Sequence, residues 1–528
     1  MKHFLGGREF FLKNKSKFSL LIIAFLTALL GSILFKFDFF VNWREKISDS
    51  LFVSQKVDSP IVILSIDNRS LKALGRWPWD RKIHAEIIDN LKKNKAAVVG
   101  YDVNFPEVSD EISDKALSES LKKADNVFLP IEVEYIVQQG EAKSLNELKP
   151  IAILADSAKN LGLTNIHPDQ DGVIRKVPIF IEEDEGFRFK ALSFQLVDEY
   201  LKKNPEINLK EISFKQLMRI NYEGPPGSFK TISAFDLLQG KVPRQELENK
   251  IVLVGATASD LHDEYMTPVS NGKPMSGVEI IANQINTILN SNYLYLIADL
   301  YQIMIFFGLS LVIGVLFIRF KVIIAIFLSL ILFSAYFLTA LIVFDYGWIL
   351  DLFYPLVITS MIVFLLTLNR FFNEESEKKY IRKVFSQYVS KDVINELLVD
   401  PKKVRLGGRE EELTMLFSDV RDFTKISEKL SPKQLTDLLN KYFNQMTETI
   451  IQYRGVLDKY IGDAIMAFWG APLFEKKHAY YACKAALLMI KKLDSKKSEW
   501  ERDYQVKLNI GIGINSGKVV VGNMGSNK

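Results

Sequence analysis

A single cysteine, Cys483, is all that 528 residues contain, so no intrachain disulfide staples this fold. It falls inside a late helical pattern, where it is expected to pack as a small core residue rather than serve redox or metal chemistry. An excess of either charge is also lacking: 67 Lys and Arg stand against 63 Asp and Glu, and the net +4 gives no reason to expect nucleic acid as a partner. No Ala-x-Ala type of cleavage site follows the first apolar run, which argues for a retained anchor over a removed signal peptide. Nucleotide-binding glycine boxes and a phosphoacceptor His motif are missing after the last apolar run, which sets a sensor kinase aside.

Long apolar runs, by contrast, are present at both ends of the first two thirds. The mean hydropathy is +0.07 although 25% of the residues are charged, a combination that fits membrane segments set among soluble domains. Phe18 to Phe35 carries no charge, and the seventeen residues before it hold Lys2, Arg8, Lys13, Lys15 and Lys17 against Glu9. The basic flank places residues 1–17 in the cytoplasm and 18–40 across the membrane. A second apolar region, interrupted at Arg319, Lys321 and Asp345, fits three spans at about 300–318, 322–344 and 348–368. Four crossings put the segment 41–298 outside, and everything after Arg370 inside. The expected location is the cell (inner) membrane, multi-pass.

Between the first two spans the pattern is α/β. Ile61–Ile66 and Ala96–Tyr101 read as buried strands, with Ile83, Ile87, Ile88 and Leu91 on one helical face between them. Lys250–Gly255 reads as a later strand of the same parallel sheet, and Gly277 to Leu289 as a helix leading back to the membrane. Trp77 and Trp79 flank Pro78, a turn that either closes a core or lines a ligand pocket; the core is the commoner use. Asp169-x-Asp171-Gly is either a plain Asx turn or a cation site, and the further oxygen ligands of a Ca²⁺ loop are missing. The segments Asp67-x-x-Ser70 through Gly75-Arg-Trp77-Pro-Trp79-x-Arg81, Gly100-x-Asp102-x-x-Phe105, Asp169-x-Asp171-Gly-Val-x-Arg175-x-Val-Pro178 and Val254-Gly-Ala-Thr-Ala258 resemble the extracytoplasmic CHASE sensor domain of the second type. That resemblance implies a sensor over residues 41–298 whose extracytoplasmic ligand is unknown.

Residues 369–404 form a charged connector, read as a rigid helical lever fused to the last span. From 405 onward the order is strand (Leu413–Val420), helix (Ser431–Arg454), strand (Gly455–Ile461), strand (Ala464–Trp469), helix (His478 to about Asp494) and strand (Val506–Ile514), a ferredoxin-like βαββαβ arrangement. Gly462-Asp463 supplies the tight turn between the second and third strands. Two apolar strands therefore each end on a carboxylate, Asp419 and Asp463, and two such groups with phosphate oxygens and water would hold Mg²⁺. The fold class is thus an α/β sensor, a helical transmembrane bundle (three helices over 299–368) and an α+β domain at 405–528.

Phe417-Ser-Asp419-Val-Arg-Asp-Phe-Thr424, Lys459-Tyr-Ile-Gly-Asp463 and Ile510-Gly-Ile-Gly-Ile-Asn-Ser-Gly517 resemble the class III nucleotide cyclases. Phe385-x-x-Tyr388-Val-Ser390 and Leu406-Gly-Gly408 resemble the connector that precedes the catalytic module in membrane cyclases. The resemblance implies that Asp419, Asp463 and the Val420 carbonyl bind two Mg²⁺ (or Mn²⁺), that Phe423 and Thr424 meet the terminal phosphates, and that Lys459 reads the base. A lysine donates only, so it serves N1 of adenine and not the N1–H of guanine. The implied activity is adenylate cyclase, ATP to cyclic AMP and pyrophosphate, in a site shared with a second cyclase domain of a homodimer. A diguanylate cyclase would need a Gly-Gly-acidic-acidic-Phe turn that is absent. The family's second base-reading residue and its transition-state Asn and Arg are not found before Lys528. The catalytic domain is therefore read as C-terminally truncated, and the 528-residue chain as given is expected to have little or no activity. The competing reading is a catalytically silent receptor that binds its ligand or pairs with an intact cyclase.

Overall fold

The computed structural model describes residues 2–54, 57–138, 141–182, 188–209, 217–385, 409–472 and 474–522, and the chain divides into two compact units, Met1–Thr367 and Leu368–Lys528. The first begins with helix α1 (Lys2–Lys36) and the short α2 (Val41–Ser48). Its soluble part is built on parallel strands β1 (Ile61–Ile66), β2 (Val98–Asp102), β3 (Val127–Gln138), β4 (Asn160–Leu163), β5 (Thr231–Ser233) and β6 (Ile251–Ala256). They lie in the order β5-β1-β6-β2-β3-β4.

Helices cover both faces of this sheet, and that is why its strands read as unbroken apolar runs. Val62, Leu64, Val252 and Val254 share a core with α3 (Arg81–Lys93) and α4 (Glu111–Ala124). Ile61, Ile63, Ile251 and Leu253 share another with α5 (Leu192–Lys203) and α6 (Gly277–Leu289). Where α6 meets β6 only a glycine fits, because a Cβ on Gly255 would stand 2.7 Å from the Val278 Cβ.

Four described helices are long and apolar enough to cross a membrane: Phe18–Lys36 of α1, α7 (Asp299–Arg319), α8 (Val322–Asp345) and the Phe353–Asn373 part of α9 (Phe353–Phe385). The last starts at Phe353 rather than near Trp348. Trp348–Ile349 (β8) pairs in parallel with Tyr295–Leu296 (β7), and Asp351, which lies inside the run read as a span, stands outside the helix and accepts from the Tyr354 N–H at 2.9 Å.

Charged side chains fasten the sensor to the end of the first span. The Arg219 guanidinium donates to both Glu45 oxygens at 2.7 and 2.9 Å. Burial pushes the Glu45 carboxyl up, but the hydrogen bonds and charge of Arg219 outweigh it and hold the group at about 2, against an ordinary 4.5. A depressed carboxyl contributes stability above its unfolded pKa and loses it as pH falls toward the folded value. Thermal denaturation should therefore show Glu45→Gln less stable than the parent above pH 4.5, with the gap closing as pH drops toward 2. The Asp169-x-Asp171 turn also belongs to this junction. Both carboxylates accept from Arg175, at 2.8 to 3.1 Å, so the turn holds an arginine and not a metal cation.

The second unit runs β9 (Arg409–Val420), α10 (Phe423–Lys429), α11 (Pro432–Gln452), β10 (Val456–Ile461), β11 (Ala464–Trp469), α12 (His478–Tyr504) and β12 (Ile510–Val521). The strands pair antiparallel in the order β10-β11-β9-β12. A capping box between Ser431 and Gln434, with Pro432 at the first helical position, fixes the start of α11. Leu416 and Val420 are buried with Tyr442, Met446, Ile450, Ala485 and Met489, so α11 and α12 cover one face of the sheet. Cys483 is exposed, contrary to its reading as core: the buried stripe of α12 runs through Ala482, Ala485, Ala486, Met489 and Leu493, and Cys483 lies about 100° round the helix from it. Tyr388-Val-Ser390, Leu406-Gly-Gly408 and the stretch from Asn523 onward lie outside the described residues.

Candidate active site

Strand alternation puts Met415, Phe417 and Asp419 of β9 on the face that α11 and α12 leave open. In register, Phe417 stands opposite Met466 on one side and Gly513 on the other, and Lys459 stands opposite Met466. Lys459, Met466, Phe417 and Gly513 therefore form one row across all four strands, with Asp419 and its partner Gly511 two residues further along β9. The open face thus carries both Asp419 and Lys459.

Asp463 joins them from the hairpin. Gly462 takes φ +65° between Ile461 and Ala464, which pair across the two-residue turn, and a glycine is what this first central position of a primed turn requires. The turn delivers the Asp463 carboxylate to the end of β9, where the Val420 N–H donates to it at 3.1 Å. Burial raises the Asp463 pKa, and the hydrogen bond and charge of Asp419 raise it further, so the two carboxylates share one small volume. No third His, Cys, Asp or Glu completes a metal-holding group with them among the described residues. Two crowded carboxylates suit a divalent ion that takes its remaining ligands from a backbone carbonyl, phosphate and water.

Phe423 and Thr424 open the seven-residue α10, whose cap Asp422 is left-handed at φ 55°. Lys459 is exposed, its Nζ 3.9 Å from an Asp458 oxygen across a bulge that interrupts the β10-β11 ladder. Arg421 was not singled out by the sequence. Its guanidinium lies over Gly511, 2.5 to 2.7 Å from where a Cβ would be, so the glycine opposite Asp419 makes room for this side chain. The Gly511 of Ile510-Gly-Ile-Gly was the available signal, once paired with β9.

An open-faced antiparallel sheet with paired carboxylates, joined in one chain to a doubly covered parallel sheet and four apolar helices, defines the class: a nucleotide-cyclase type of catalytic domain behind a membrane-associated sensor. The chain belongs to the CHASE2 domain family, whose model matches residues 19–316, and it carries an Adenylate and Guanylate cyclase catalytic domain at residues 407–528. It is similar to Adenylate cyclase 1 of Rhizobium meliloti (strain 1021), 29% identical over 34% of this chain and 26% of the relative. It is also similar to an adenylate cyclase of Anabaena cylindrica, 33% identical over 29% of each chain. Among solved structures it resembles the adenylyl cyclase CyaB from P. aeruginosa, 39% identical over 23% of this chain and 64% of that one, with a TM-score of 0.23. The matched region spans little more than a quarter of the length of these two curated relatives.

Proposed function

We propose that the protein is a membrane-bound receptor adenylate cyclase that converts ATP to cyclic AMP and pyrophosphate under the control of its CHASE2 sensor. The observation that carries this reading is the meeting of Asp419 and Asp463 on an open sheet face that also holds Lys459. Asp419, Asp463 and the Val420 carbonyl are the ligands for two Mg²⁺ or Mn²⁺. When bound, such ions lower the pKa of an attacking hydroxyl and neutralise phosphate charge. The backbone around Phe423 and Thr424 receives the terminal phosphates, and Lys459 donates to N1 of adenine. The ribose 3′-hydroxyl attacks the α-phosphorus in line, a P–O bond forms to the 3′ oxygen, and the bond to pyrophosphate breaks.

The antiparallel order β10-β11-β9-β12 under two helices supports a ferredoxin-like assignment for this unit. Its open face supports a homodimer: Phe417 and Ile461 are exposed there, and Met466 and Phe468 are only half-buried, so a second catalytic domain would bury an apolar surface while closing the site. The four apolar helices and the basic N-terminal flank support a multi-pass inner-membrane protein with the sensor outside and the catalytic domain in the cytoplasm.

Base choice is testable at one position. Lys459→Glu replaces a donor by an acceptor, and the kcat/KM ratio for ATP over GTP is expected to fall by about 10²-fold or more, as when a site built to hydrogen-bond one partner meets another. An unchanged ratio would remove Lys459 from the base-reading role.

A further inference from the structure

A cavity of about 420 Å³ lies in the first unit at the carboxyl ends of β1, β2 and β6. Open parallel sheets commonly bind ligands at this edge, and the volume is that of a small-molecule site. Asp102, Glu132 and Asp263 line it, with Trp77, Phe105 and Tyr265 as aromatic wall. The two tryptophans of the Trp-Pro-Trp turn thus divide their roles. Trp79 is buried and donates its indole N–H to the Gly75 carbonyl, while Trp77 borders the cavity.

Among the described residues no ion pair is made to the three carboxylates, and Asp263 accepts a hydrogen bond from the Tyr265 hydroxyl. Arg81 reaches the wall already engaged: it donates to Asp114 at 3.3 Å and to the Glu107 carbonyl at 2.9 Å, and its guanidinium stacks 4.4 Å from the Phe105 ring. His84 shares a 2.8 Å hydrogen bond with the Tyr101 hydroxyl, and burial holds it neutral with a pKa of about 3. Glu132 accepts from Asn104 at 2.5 Å. Asp102 lines the cavity half-buried, and among the described residues no hydrogen-bond donor reaches its carboxylate. Burial, and then the neighbouring carboxylates, raises Asp102 well above the usual range and Asp263 to about 6.

We propose that this cavity binds a small organic cation, an ammonium compound whose charge is met by Asp102, Asp263 and Glu132 and whose body rests on Trp77 and Tyr265. Carboxylates supply the counter-charge, and an aromatic face adds a cation–π attraction that grows as water is excluded. A bare divalent ion fits less well. The cavity is far larger than one ion, Trp77, Phe105 and Tyr265 form part of its wall, and among the described residues the three acids do not close into a metal-holding group.

This inference rests on the sensor reading for its consequence, but binding is measured apart from cyclase activity. Isothermal titration of the full chain in detergent, with choline and with putrescine, is expected to show saturable binding by at least one of them. The uncharged choline isostere 3,3-dimethyl-1-butanol should bind about 10-fold or more weakly, and Ca²⁺ should not compete. Asp102→Asn should weaken binding by about 10-fold while raising the melting temperature of the unliganded protein, since it removes one of three mutually repelling carboxylates. A merely structural Asp102 would instead lower the melting temperature. Glu132→Gln, nearer the solvent, gives the same test if Asp102→Asn does not fold. Equal affinity for the neutral isostere, binding of Ca²⁺ alone, indifference to both substitutions, or no saturable binding of either ammonium at about 10 mM would overturn the proposal. Ammonium binding without any change in cyclic AMP output would leave the cavity assignment standing and count against the receptor reading.

Discussion

Replacing Asp463 by alanine is expected to lower cyclic AMP formation by at least about 10²-fold, measured on the protein as its gene encodes it, in membranes, at saturating Mn²⁺ and ATP. The magnitude follows from what the group does: removing a single pre-positioned electrostatic partner of a phosphoryl transition state typically costs about 10² to 10³ in rate. The side chain is also exposed enough for its loss to leave the fold in place. It sits at a hairpin tip, half-buried, and its tie to β9 is the 3.1 Å bond from the Val420 N–H. Loss of activity should therefore come with an unchanged melting temperature and with Mn²⁺ binding weakened in parallel. Asp463→Asn separates shape from charge, since it keeps the hairpin side chain nearly isosteric and still removes the anionic ligand. If either variant kept its activity, the paired-carboxylate reading would fail.

The second large effect belongs to the junction of sensor and membrane. Arg175→Leu is expected to destabilise the first unit by about 3 to 5 kcal/mol, the usual consequence of removing one partner from a buried ion cluster. Arg175 is 3% exposed and makes a two-pronged bond to Asp49, at 2.9 and 2.7 Å, in addition to its bonds to Asp169 and Asp171. Burial raises Asp49 despite this partner, and without the guanidinium Asp49, Asp169 and Asp171 would be left with only the 3.4 Å contact of Lys176 to Asp169. Arg175→Lys should restore little, because an ammonium cannot span the same fork. Chemical denaturation of the purified protein measures the loss; a change below about 1 kcal/mol would reduce the cluster to the standing of a surface ion pair. Asp49 directly follows α2, so this is also the contact through which the sensor grips the chain as it leaves the first span.

The sequence was most legible where burial is two-sided or one-sided without interruption. β1 and α6 matched their apolar runs end to end, and so did β11, because parallel strands covered on both faces and amphipathic helices write their packing directly into residue order. It was least legible at boundaries set by distant partners. The start of α9 depends on Trp348–Ile349 pairing with a strand fifty residues earlier, and on Asp351 capping the helix. The fate of the Asp-x-Asp turn was hidden for the same reason: the aspartate that completes the Arg175 cluster lies 126 residues away. Cys483 failed by one position on a helix, where a single step turns a side chain from core to solvent. Asp419, Asp463 and Lys459 were visible as motif residues. Their convergence on one sheet face follows only from the register of four strands.

The most direct measurement is a cyclase assay of the membrane-embedded gene product with ATP and GTP in parallel, alongside its Asp419→Ala variant. Cyclic AMP formed from ATP, little product from GTP, and loss of activity in the variant is the predicted result. Cyclic GMP as the main product, or cyclic AMP formation that survives Asp419→Ala, would contradict it.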